Sequence, residues 1–246
     1  MTGGLLVTGG SGAIGGALCR IAARQHPVWV GYGAGAGRAR ALAAEITQAG
    51  GRAEPLALPL QDPAALETAL AALPEPPASL ALCAWPAPFV APFGRQGEDL
   101  ALQAAALAGC HALIATAWRL WWRRAGGGHV LAVLSAASEP PVARHMAAYV
   151  AQKAALRALL AAAAAELGPA GLRVSVVAPG FVETPMLGAF DPRLLERARA
   201  DAGGRFLSPE RVAQALVAAL DAPPPAGTVQ DIHLAEEVES DEKQTA

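Results

Sequence analysis

Short apolar runs, set apart by longer stretches of helical period, are what most constrain this chain. The runs are Gly4–Thr8, Val28–Tyr32, Arg52–Leu58, Ser79–Ala84, His129–Leu134, Leu172–Ala178 and Thr228–Leu234. Between them, segments near 13–25, 36–49, 62–73, 98–124, 146–167 and 208–220 repeat apolar residues at helical spacing. A strand with one wet face alternates apolar and polar residues; these mostly do not, so both faces of their sheet are covered. The pattern predicts an α/β chain: a doubly wound, Rossmann-type parallel sheet of about seven strands with helices on both faces and right-handed crossovers. No composition break or internal repeat divides it. The Pro-rich pieces Pro74–Pro77, Pro86–Pro92 and Pro223–Pro225 fall between elements as loops. One domain is expected over residues 1–235, followed by an acidic tail, 236–246, expected to be disordered.

Composition narrows the function classes. Of the 246 residues, 53% are hydrophobic and 16% charged, which excludes a disordered chain. A net charge of −2 gives no bulk reason to bind nucleic acid or an anionic membrane. No uninterrupted apolar run reaches the roughly 18 residues of a membrane span; Arg157 breaks the stretch Ala154–Ala165. Residues 1–10 lack the basic and apolar regions of a secretory signal. Cys19, Cys83 and Cys110 have no metal-ligand spacing, so no metal is expected and a reducing, cytoplasmic location is.

Two segments carry chemistry. The first run leads into Thr8-Gly9-Gly10-Ser11-Gly12-Ala13-Ile14-Gly15 and then a helix. Glycines there let backbone N–H groups approach a pyrophosphate at a helix N-terminus, whose dipole favours the anion. The second segment is Tyr149-Val150-Ala151-Gln152-Lys153. On a helix these two side chains share a face, so the ammonium is expected to lower the phenol pKa and make it a usable acid or base. The chain has two tyrosines and, by count, two lysines (Lys153 and Lys243), so the spacing is not a product of abundance.

Together these segments resemble the short-chain dehydrogenase/reductase family. Thr8–Gly15 is similar to its TGxxxGxG turn, with Ala13 for the second glycine, and Tyr149 and Lys153 match its YxxxK pair. Arg173–Thr184 resembles its RVNxVxPGxxxT segment, with Ser175 for the asparagine. The resemblance runs from about residue 4 to 234, nearest in pattern to the 3-oxoacyl-carrier-protein reductases. It implies a catalytic Ser-Tyr-Lys set of Ser135, Tyr149 and Lys153, with Ser138 as rival to Ser135. It also implies dinucleotide contacts from Gly9, Ser11, Gly12, Ile14, Gly15, Ala84, Tyr149, Lys153, Pro179, Gly180, Val182 and Thr184. The second strand ends in Gly31-Tyr32-Gly33-Ala34-Gly35 without an acid and is followed by Arg38 and Arg40, which favours NADP(H) over NAD(H), with Arg38 on the 2′-phosphate.

The departures are as specific. The family's NNAG reads Leu82-Cys83-Ala84-Trp85, its relay asparagine falls on Leu107, and its adenine-binding acid falls near Pro59. Asp62 close by reads as a helix cap. His111, one turn past Leu107, reads as a packed helix histidine more than a relay substitute. An enzyme reading requires the Trp85 indole to turn away from the cofactor. Trp118, Trp121 and Trp122 form a stripe that packs on the sheet or joins an interface.

Two functions remain in play. One is an NADP-dependent oxidoreductase reducing a carbonyl, 3-oxoacyl or small ketone, free or acyl-carrier-bound. The other is a catalytically impaired homologue serving as structural partner of an active subunit. The resemblance implies a homo- or hetero-oligomer through helices four and five, and no nucleic-acid or membrane partner is expected. Arg123 and Arg124 stand where an acidic carrier would dock, while the second docking patch, Gly168-Pro169-Ala170, has no arginine. The segment Pro185–Ser208 is expected to cover the substrate.

Overall fold

The structure, a computed structural model, describes residues 3–234. The strands are β1 (Leu5–Thr8), β2 (Val28–Tyr32), β3 (Ala53–Ala57), β4 (Ser79–Leu82), β5 (Gly128–Val133), β6 (Leu172–Pro179) and β7 (Val229–Leu234). The principal helices are α1 (Ala13–Ala22), α2 (Ala36–Gln48), α3 (Pro63–Ala71), α4 (Gly97–Ala117), α5 (Ala147–Leu167), α6 (Pro192–Asp201) and α7 (Pro209–Asp221). All strand pairs are parallel, in one 7-stranded sheet of order β3-β2-β1-β4-β5-β6-β7. This is the doubly wound sheet that the run-and-helix alternation predicts. The tail expected from Glu236 lies outside the described residues.

The core explains why the central runs do not alternate. Leu5 and Val7 of β1 pack with Leu18 of α1, Leu42 of α2 and Leu216 of α7 on one face. Leu6, between them, points the other way, to Leu80, Leu113 of α4 and Leu156 and Leu160 of α5. Each side chain meets an apolar layer whichever way the strand period turns it. Only the edges are half open: β3 exposes Glu54 and Pro55, and β7 exposes Asp231 and His233.

Helix α4 runs on through a π-helical turn (Trp118–Trp122) and a last turn (Arg123–Ala125), closed by Gly126 at φ 78°. By length and composition Gly97–Ala125 is apolar enough to cross a membrane, although no single apolar run is. Here it is a core helix, with Cys110, Leu113, Ile114, Ala117 and Trp122 buried against the sheet. Trp122 is fully buried and donates its indole N–H to Pro77 O at 2.9 Å. Trp118 and Trp121 pack partly buried on the same layer, so the stripe belongs to the fold.

Ser175, in place of the family's asparagine, bridges three strands. Its hydroxyl lies 2.9 Å from His129 Nε2 on β5 and donates to Gln230 Oε1 on β7 at 2.9 Å. The hydroxyl's one proton goes to the amide oxygen, so His129 must donate from Nε2. Burial, with Arg173 nearby, pushes the imidazole down to about 4 and keeps it neutral.

One element was absent from the sequence expectation. Helix α6 lies in the segment expected to cover the substrate; none of its residues is buried and only Leu195 and Ala198, one turn apart, are half-buried, a stripe too short to mark a core helix. Its start was legible: Asp191 accepts from Arg193 N at 2.8 Å and Pro192 follows, the acid-then-proline signature of a helix N-terminus.

The seam that positions the ligand-facing edge is a single oxygen. Thr8 Oγ1, at the end of β1, accepts from both Cys83 N and Ala84 N at 3.0 Å, where β4 has just ended. Thr8→Val keeps the shape and strands two amides. It should lower unfolding free energy by about 1–3 kcal/mol, measured by urea denaturation with an unchanged m-value; an unchanged midpoint would remove this role from Thr8.

Candidate active site

In a parallel sheet the strands all end at one edge, and the loops beyond it collect the site. Beyond β1, Gly9 stands at φ +61°, and a Cβ there would lie 2.9 Å from Ala84 Cα. A Cβ on Gly15 would lie 2.3 Å from Gly9 O, so the turn and α1 close up only with glycine at both places. Gly12 precedes α1 without a side-chain cap, and the first turn has no acid. Gly12 N donates to Gly9 O at 2.8 Å within the turn, while the N–H groups that start α1, Ile14 among them, have no side-chain cap and are open to an anion. The Arg38 guanidinium folds back over Gly35, 3.0 Å from where a Cβ would sit, and Ser11 Oγ is 2.6 Å from the same point. The shape of this turn fits a pyrophosphate, and the Arg38 guanidinium lies beside it. The adenosine side of a dinucleotide fits.

Beyond β5, Ser135 opens a 3-10 turn (Ala136–Ser138), its Oγ accepting from Ala137 N at 3.2 Å. Its rival Ser138 is turned inward, donating to Ser135 O at 2.8 Å. His145, at φ 62°, turns the chain into α5, and Tyr149 arrives buried beside Ser135. Burial pushes the phenol above its ordinary value and the neighbouring Ser135 hydroxyl draws it partly back. Lys153, one turn on and 3% exposed, donates from Nζ to Val133 O at 2.8 Å. Burial pushes its ammonium down to about 7, against Cys110 and Cys83, which favour the charged form. The structure thus brings Ser135, Tyr149 and Lys153 together, with one correction to the sequence reading. The ammonium does not lower the phenol pKa, because it sits 5.7 Å from the Tyr149 ring centroid and burial dominates.

What the ammonium faces instead is Trp85, whose ring centroid is 4.2 Å from Nζ. A desolvated contact of this kind is worth about 2 kcal/mol. The indole N–H donates to Gln103 Oε1 at 2.6 Å. Gln103, fully buried on α4, gives its amide hydrogens to Ala87 O at 3.3 Å and Asp99 Oδ1 at 3.1 Å. Asp99 Oδ2 accepts from Phe89 N, and Gln96 joins Ala91 O to Ala148 N at the start of α5. The indole is not turned away, contrary to what the enzyme reading required. Sequence reasoning missed this network; its signal was Asp99 and Gln103, polar residues one helical turn apart on an apolar helix. Leu107 packs partly buried on the core, and His111 is exposed rather than packed. Asp62 caps α3, accepting from Ala64 N and Ala65 N at 3.1 and 3.0 Å, as its position predicts.

Beyond β6, Pro179 ends the strand and Gly180 N donates to Leu234 O at 3.3 Å. Val182 pairs with Leu207, and Thr184 precedes a short 3-10 turn (Pro185–Ala189). Helix α6 is clamped over this segment: Phe181 stacks on Phe206 at 5.0 Å and meets Phe190 edge-on at 5.5 Å. Arg199 pairs with Glu183 at 2.9 Å and lies over the Phe206 ring at 4.7 Å. Among the described residues no cluster of His, Cys, Asp and Glu is built to hold a metal ion.

Known proteins share this arrangement. The pattern of the family described as enoyl-(acyl carrier protein) reductase matches residues 38–233. The short-chain reductase protein NovJ of Streptomyces niveus is 35% identical over 103 residues, 39% of this chain and 38% of NovJ, well under two thirds of that relative's length. The 2,5-dichloro-2,5-cyclohexadiene-1,4-diol dehydrogenase LinX of Sphingobium indicum is 29% identical over 200 residues, 78% of each protein. A short-chain dehydrogenase/reductase of Serratia marcescens, solved as a double mutant, superposes with a TM-score of 0.80 at 26% identity, covering 96% of this chain and 97% of its own. With the family pattern matched over most of its length, the chain belongs to the short-chain dehydrogenase/reductase family.

Proposed function

We propose that this protein is an NADP(H)-dependent oxidoreductase that reduces a carbonyl on a small, apolar substrate, with Ser135, Tyr149 and Lys153 as its catalytic set. The observation that carries this is Tyr149, buried beside Ser135 with Lys153 one turn away and its Nζ 5.7 Å from the phenol ring centroid, at the edge where the glycine turn opens. When bound, the nicotinamide supplies the hydride that adds to the carbonyl carbon. Tyr149 gives its hydroxyl proton to the carbonyl oxygen. Ser135 directs its own O–H at that oxygen and stabilises the charge developing there. Lys153 holds the nicotinamide ribose hydroxyls and, once they draw the ammonium into the cleft, favours the phenolate that proton transfer leaves behind. Gly9, Ser11, Gly12, Ile14, Gly15 and Ala84 hold the pyrophosphate and adenosine side. Pro179, Gly180, Val182 and Thr184 line the carboxamide side.

Arg38 beside Gly35 and Ser11 supports NADP(H) over NAD(H). Exposed Phe89, Phe93 and Val142, on the connections after β4 and β5, and exposed Leu194, on α6, lie beyond the carboxyl ends of the strands, which supports an apolar substrate. Arg123 and Arg124 end α4 at the opposite edge, so within one chain they do not bring a carrier-bound acyl group to Tyr149. The outer faces of α4 and α5, with exposed Leu100 and Leu102, are the surfaces we assign to self-association. Three unpaired thiols fit a reducing, cytoplasmic setting.

The test is NADPH oxidation with a panel of apolar ketones. Tyr149→Phe should abolish turnover while leaving NADPH binding in place. Ser135→Ala should slow turnover on the order of 10²-fold, and Ser138→Ala hardly at all; the reverse ranking would move the oxyanion donor to Ser138. Arg38→Ala should weaken NADPH about tenfold, or 1.4 kcal/mol, and leave NADH nearly unchanged. Equal losses for the two would remove Arg38 from the 2′-phosphate.

Lys153 also makes a prediction about stability. Its folded pKa of about 7 lies below its ordinary 10.5, so between these values the unfolded chain binds more protons and stability rises with pH. The cost of burying the lysine is therefore full below about pH 7 and fades toward pH 10.5. Lys153→Met, although inactive, should melt at higher temperature than wild type at pH 6, with the gain shrinking across that window. A gain that is absent, or constant with pH, would show that the buried ammonium is not destabilising.

A further inference from the structure

The strand order reverses between β1 and β4, and ligands of open α/β sheets bind in the crevice at that reversal. Trp85 leaves β4 three residues past its end and lies in that crevice, held from two sides. Its ring face sits on Lys153 Nζ at 4.2 Å and its N–H is on Gln103 Oε1 at 2.6 Å. The glutamine is not free to turn. Its amide hydrogens are committed to Ala87 O and Asp99 Oδ1, both acceptors, so its carbonyl must face the indole. One donor of Lys153 is taken by Val133 O, and the indole covers the ammonium next to it. A hydroxylated ligand that binds both Lys153 and Tyr149 needs that covered face. The glycine turn, Ser11 and Arg38 carry no such cover.

We propose that Trp85 is a gate over the reactive half of the dinucleotide site. The indole and the nicotinamide ribose compete for the Lys153 ammonium, while the adenosine half docks at the glycine turn without moving the indole. This rests on the dinucleotide reading given above. It makes Trp85 a positioning residue that sets cofactor affinity, and it predicts that the two halves of NADPH respond differently to one substitution.

The experiment titrates 2′,5′-ADP and NADPH calorimetrically into the full chain, as wild type, Trp85→Ala and Trp85→Phe, each checked for an intact melting transition. Trp85→Phe keeps most of the apolar volume but loses the Gln103 anchor, so it reports even if the alanine variant does not fold. 2′,5′-ADP should bind all forms within about twofold. NADPH should gain at least about tenfold in Trp85→Ala, equivalent to 1.4 kcal/mol, and less in Trp85→Phe. Unchanged NADPH affinity in both variants, with 2′,5′-ADP still binding, would overturn the gate and leave the dinucleotide reading standing. Weaker NADPH binding in the variants would make the indole a platform for the cofactor and overturn the gate equally. If 2′,5′-ADP binds none of them, the dinucleotide reading fails and the gate with it.

Discussion

Covering both faces of a parallel sheet leaves its carboxyl edge as the place where the backbone can meet a ligand. In this chain every strand between the edge strands β3 and β7 is paired on both sides, and the helices take both faces. Chemistry therefore collects where strands stop: the glycine turn after β1, Trp85 after β4, Ser135 after β5, Gly180 after β6. Thr8 Oγ1 matters because it joins the two strands on either side of the reversal, and so sets the distance between the phosphate cradle and the indole.

The second governing feature is a charge that has lost its water. Lys153, on the inner face of α5, meets the Val133 carbonyl and the Trp85 indole, and burial pulls its pKa far below that of a free lysine. Aromatic rings are tolerable neighbours for such a group because their faces carry partial negative charge without needing hydration. That accounts for a bulky indole at the position where the NNAG pattern that the sequence resembles has glycine. The polar chain behind it, Gln103 to Asp99 to Phe89 N, fixes the indole's height and ties the loop after β4 to α4.

The fold was legible because its evidence is repeated: strand after strand of apolar residues, helix after helix between them. The Tyr149-Lys153 spacing was legible because helical geometry alone puts the two on one face. Contacts between distant segments were not. Nothing local to Trp85 says that its partner is Lys153, since 68 positions separate them and only the sheet order brings them together. The phenol pKa went the opposite way from a two-residue argument because burial is a property of the whole layer. Helix α6 escaped because its inward face is only Leu195 and Ala198, both half-buried, although Asp191 and Pro192 marked its start.

The outer strand β3 also bears on how the molecule behaves in a crowd. Pro55 sits in the middle of that five-residue strand without an N–H to offer, and Glu54 beside it is exposed and charged. A strand from another molecule arriving at this border would find a gap in the ladder and a carboxylate to desolvate. The border therefore acts as a full stop. At high concentration these molecules have no continuous ribbon to grow from that side.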